Sequence, residues 1–95
     1  MTRITEAEFA RICKGIYGDR ESIVRHNPIG SREEILLWML LSSLIMYLNL
    51  TDIETPCFNG KPDAKTYRDA IRFILNERRV DSFEIDPYID GMTAE

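Results

Sequence analysis

The sequence predicts a small all-α domain, with four helices around one apolar central helix and an irregular acidic C-terminal tail. Three observations carry this expectation. Apolar residues recur three and four apart along residues 9–16 and 64–75, the spacing of amphipathic helices. Thr5-Glu6-Ala7-Glu8 and Ser31-Arg32-Glu33-Glu34 are capping boxes that mark helix starts. Thirteen of the sixteen residues from Ile35 to Leu50 are apolar and cover every face of a helix. A chain of 95 residues, 44% hydrophobic and 29% charged, is sized and composed for one globular domain.

The first helix opens at Thr5 and buries Phe9, Ile12, Cys13 and Ile16. Gly18 is expected to take the left-handed position that ends it near Tyr17. Asp19 then caps a short second helix through about Arg25, with Ile23 and Val24 as its apolar residues. His26-Asn27-Pro28 stops it, because the residue before proline avoids the helical region. Ser31 starts the central helix over 35–50. Thr51 to Pro62 is a loop broken by Pro56, Asn59-Gly60 and Pro62. The fourth helix, 63–79, buries Ala64, Tyr67, Ala70, Ile71, Ile74 and Leu75, and Arg78 and Arg79 suit its C-terminal dipole. Phe83, Ile85 and Pro87 alternate with Glu84 and Asp86, which reads as a short edge segment, with loose chain after Tyr88. The organisation read from these elements is one helical domain over 1–80 and a partly ordered acidic tail over 81–95.

The central helix bears most on function. It needs partners on every side, and the other helices offer few apolar positions. The expected solution is a second copy: a homodimer through Trp38, Met39, Leu41, Met46 and Tyr47, residue types enriched at such interfaces. A membrane span fits poorly. The uncharged run from Ile35 to Thr51 falls short of about 20 residues, acidic residues flank it, and no Lys/Arg cluster adjoins it. No apolar segment follows Arg3, so no secretory signal is read, and a cytoplasmic protein with reduced Cys13 and Cys57 is expected.

Charge supplies the second reading. Lys65, Arg68, Arg72 and Arg79 fall within a narrow arc of the fourth helix and could meet phosphates, making the chain a small helical regulator that binds nucleic acid. A net charge of −4 and the lack of interleaved aromatics argue against it. Residues 1–80 hold twelve basic and eleven acidic side chains, whereas 81–95 hold five acidic and none basic. That tail could fold onto the arginines of its own chain or of a dimer mate. It could also offer Phe83, Ile85, Tyr88 and Ile89 to another protein.

Catalytic, cofactor and metal residues are not expected. Two cysteines and one histidine cannot complete a four-ligand zinc site, and the tail acids do not follow the calcium-loop spacing. His26 lacks an indicated nucleophile among Cys57, Ser31, Ser22 and Tyr17. Asn59-Gly60-Lys61-Pro62 lacks the first glycine of a phosphate loop. A small-ligand pocket lined by Trp38, Met39, Met46 and Phe73 is a further, weaker reading. The function favoured by the sequence is a non-enzymatic protein–protein interaction module.

Overall fold

The computed structural model describes residues 3–51, 55–78 and 82–95. Among these residues lie four helices: α1 (Glu6–His26), α2 (Arg32–Leu48), α3 (Ala64–Arg78) and α4 (Asp86–Thr93). The fold is all-α, as predicted. α2 occupies the centre and touches each of the other three, while α1 also holds α4. Leu36, Leu37, Leu40, Leu44 and Leu48 of α2 meet Phe9, Cys13 and Ile16 of α1 and Ile71, Ile74 and Leu75 of α3 in one buried cluster.

Local chemistry sets the helix starts. The Thr5 hydroxyl accepts the Glu8 amide at 3.2 Å, and Glu8 returns a carboxylate oxygen to the Thr5 amide at 2.9 Å. The Ser31 hydroxyl accepts the Glu34 amide at 3.2 Å, but the Glu34 carboxylate takes the Ser31 hydroxyl rather than its amide, so only half of that box forms. Asp63 caps α3 through the Thr66 amide and hydroxyl, and these donors hold its carboxyl below the usual aspartate range. α2 ends at Leu48 because Asn49 turns left-handed (φ 53°), a conformation asparagine tolerates better than most residues.

Two expectations along the chain are corrected. The first two expected helices are one. Gly18 does not end the first: it sits on the exposed side of α1, and its φ is not among the positive ones. The apolar stripe continues past it through Ile23 and Val24, which pack against the core. A mid-helix glycine costs about 1 kcal/mol relative to alanine, less than burying two such side chains returns. α1 stops only at Asn27, whose side-chain amide donates to the Ile23 carbonyl at 2.9 Å.

The second correction concerns the C-terminal stretch. The chain expected to be extended and then loose instead forms α4. Pro87 lies in its first turn, where a missing N–H is harmless, and Asp86 complements the dipole. Ile85, Ile89 and Met92, spaced four and three apart, are buried in the common core. The packed unit therefore runs past residue 80. Phe9, Phe83 and Tyr88 stack edge to face or tilted with ring centroids 5.8–6.4 Å apart. The Tyr88 hydroxyl donates to Glu6, and the Ile4 amide donates to the Arg78 carbonyl at 2.7 Å, so both ends of the chain are tied to distant elements.

Two measurements check these corrections. A Cβ at Gly18 meets nothing within 4 Å, so Gly18→Ala stabilises the protein by about 0.5–1 kcal/mol in urea denaturation; a left-handed helix end would give a loss. Ile89→Ala costs about 2–5 kcal/mol in the same assay, where a loose tail would give almost none.

Candidate interaction surface

α2 is apolar all round, yet three helices cannot enclose a fourth completely. At about 100° per residue, Leu36, Leu37, Leu40, Leu44 and Leu48 point to the packed side. Trp38, Met39, Ser42, Ile45 and Met46 share the opposite arc. Met46 is 81% exposed and Trp38 42% exposed, while Met39, Ser42 and Ile45 are half-buried. This arc carries no charged side chain, and Trp38 and Met46 stand about 12 Å apart along it at 1.5 Å per residue.

The residues expected at an interface are thus divided. Trp38, Met39 and Met46 lie on the uncovered arc. Leu41, at 4% exposure, belongs to the core and lies off the uncovered arc. Its position, one residue from Ser42 but about 100° round the helix, turns it inward. Tyr47 is exposed at the α1 flank, where burial and the Glu8 carboxylate raise its phenol above the usual value. Ser42 and Ile45 also belong to the arc; residue type does not mark them as interface residues, but their spacing of four and seven from Trp38 puts them on the same side of the helix.

Two depressions border the arc. At its N-terminal end, the elbow between α1 and α2 leaves a cavity of about 310 Å³ lined by His26, Ile29, Glu34, Ile35, Trp38, Lys61 and Tyr67. Gly30 makes the elbow tight: its φ is +105°, and a Cβ there would come within 3.1 Å of Lys61 Nζ. Lys61 Nζ in turn lies 3.7 Å from a Glu34 carboxylate oxygen. On its α1 side runs a groove of about 480 Å³ lined by Arg11, Ile12, Gly15, Asp19, Met39 and Ser43, among others. Trp38 and Met39 therefore line different depressions. Met46 and the 62% exposed Phe73 of α3 line neither of them, so these two depressions among the described residues do not bring together the four residues expected to share a ligand pocket.

The basic stripe sits against carboxylates. Arg68, with a side chain 19% exposed, reaches Glu33 at 3.2 Å, Asp86 at 3.7 Å and Asp90 at 2.9 Å. Arg72 meets Asp86 at 2.6 Å and Asp69 at 3.1 Å, and Lys65 meets Asp69 at 3.0 Å. The Lys65 ammonium holds the Asp69 carboxyl below its usual range. α4 and α3 thus join through side chains of one molecule, and this surface alternates in sign. Arg79 lies outside the described residues.

The reactive side chains have structural partners or stand apart from one another. His26 Nδ1 contacts the Ser22 carbonyl at 2.8 Å and the Ser22 hydroxyl at 3.4 Å. A ring nitrogen that donates to that carbonyl is not free to take a hydroxyl proton. Cys13 is buried and its thiol is pushed up to about 12 by desolvation, whereas Cys57 is exposed in the loop before α3. Tyr17 stacks under the Arg20 guanidinium at 4.2 Å, and Ser31 caps α2. Among the described residues, no three His, Cys, Asp or Glu side chains gather as a metal site, and no helix is long and apolar enough to cross a membrane. The chain matches no protein-family model, no curated protein and no solved structure.

The two thiols give a direct check on this placement. In native protein at pH 8, a disulfide-exchange reagent titrates one thiol per chain, Cys57; the second appears only in denaturant. Fast labelling of both would mean that Cys13 is not in the core.

Proposed function

We propose that this chain is a non-enzymatic protein–protein interaction module that associates with a second copy of itself through the uncovered arc of α2. The observation that carries the reading is the uncharged arc of Trp38, Met39, Ser42, Ile45 and Met46 on an otherwise charged molecule. Contiguous apolar surface of this kind is uncommon on monomers. Elsewhere the chain displays a net charge of −4, so the neutral arc is where two copies repel least. Trp and Met are also the side chains that interface centres favour, one for rigid area and the other for adaptable fit.

The test is solution mass by light scattering across a dilution series. A mass near twice 11.1 kDa is expected, and Met46→Asp, which alters an exposed side chain, returns the mass to 11.1 kDa without loss of helicity. A wild-type monomer at every concentration would remove the reading.

A further inference from the structure

The borders beside the arc bear on how a second copy would sit. α1 and α2 run antiparallel: Arg32 at the start of α2 pairs with Glu21 late in α1 at 2.6 Å, and Tyr47 near the end of α2 lies by Glu8 early in α1. Along the exposed side of α1, Arg11, Gly15 and Asp19 follow one another at intervals of four and line the groove beside α2. Among the described residues, no ion pair within 4.0 Å joins Arg11 or Asp19 to a neighbour. The midpoint of this opposite-charge pair is Gly15. On α2 the two most exposed side chains of the arc, Trp38 and Met46, have their midpoint at Ser42. Gly15 lines one groove with Met39 and Ser43, which bracket Ser42 along α2, so the two midpoints lie within about one helical turn of each other along the face.

Resting on the self-association reading above, the geometry points to one orientation of the second copy: a two-fold axis running across the face through Ser42 and Gly15. Such an axis lays α2 antiparallel on α2 and α1 antiparallel on α1. Met46 then meets Trp38 of the partner subunit, and Arg11 meets the partner's Asp19. Symmetry repeats each contact, as an isologous interface requires. The crossing points are Gly15, which has no side chain and open space above it, and Ser42, which has a small one, so the backbones can approach closely there. Met against an indole is a favourable sulfur–aromatic contact. The rim charges set the orientation and the association rate more than the affinity. A parallel two-fold pairing of α2 on α2 would carry the two α1 helices to opposite sides of the interface, so Arg11 and Asp19 would meet no partner across it.

Charge reversal tests the orientation. Arg11→Glu alone places two like-charge contacts in its own homodimer, and so does Asp19→Arg alone. Each variant is expected to dissociate at about tenfold or more higher concentration than wild type, with helicity unchanged. An equimolar mixture of the two restores both ion pairs and returns the dimer to within about threefold of wild type, an effect that fades in about 1 M salt. A covalent check uses Ser42→Cys with Cys57→Ser: mild oxidation links two copies through residue 42. If the wild type dimerises and Met46→Asp dissociates it, yet both charge variants dimerise as wild type does and no residue-42 link forms, the orientation is overturned while the α2 surface stands. If the wild type is a monomer, both are overturned.

Discussion

A helix whose every face is apolar must be enclosed, and the rest of this molecule is arranged around that requirement. α2 places six leucines into the common core and draws one helix to each of three sides. α1 supplies the longest wall, and the extent of α2 that it covers explains its length. A helix stopped at Gly18 would leave the N-terminal half of α2 without Ile23 and Val24. α4, only eight residues long, is too short to be stable alone and exists because α1 and α2 offer it a surface. The enclosure is still incomplete, and the remaining arc is what gives the molecule a surface of distinct chemistry.

Much of this fold is readable in the sequence, for identifiable reasons. Capping chemistry is local, so Thr5 and Ser31 announce two helix starts within a residue. The α3 stripe of Tyr67, Ala70, Ile71, Ile74 and Leu75 is periodic enough to assign each side chain correctly. Gly18 misleads because its local preference favours a stop, and the opposing term, burial of side chains a turn and more downstream, is tertiary. α4 is obscured because Pro87 and the acidic residues suggest an extended, solvated strip, although Ile85, Ile89 and Met92 already carry helical spacing.

The candidate surface is half legible. Composition alone places it on the central helix, but composition does not distinguish Leu41 from Ile45; only the rotation set by the neighbouring helices does. The stripe on α3 is legible as geometry and not as chemistry. Lys65, Arg68 and Arg72 are on one side of the helix, yet Asp86 and Asp90 reach Arg68 and Arg72 only because residues 86–93 fold as α4. Charges are properties of the assembled surface, so the state of one short helix decides the electrostatics of another.

The junction between α1 and α4 has a temporal consequence. Tyr88 reaches Glu6 across 82 residues, and Arg20 reaches the Ala94 carbonyl across 74. Closing so long a loop is slow compared with helix formation. During synthesis the wall that covers Phe9 emerges from the ribosome only after α1, α2 and α3 have done so. Until it does, α1 and α2 leave the seam around Phe9 uncovered, which is the kind of transient apolar surface that favours aggregation.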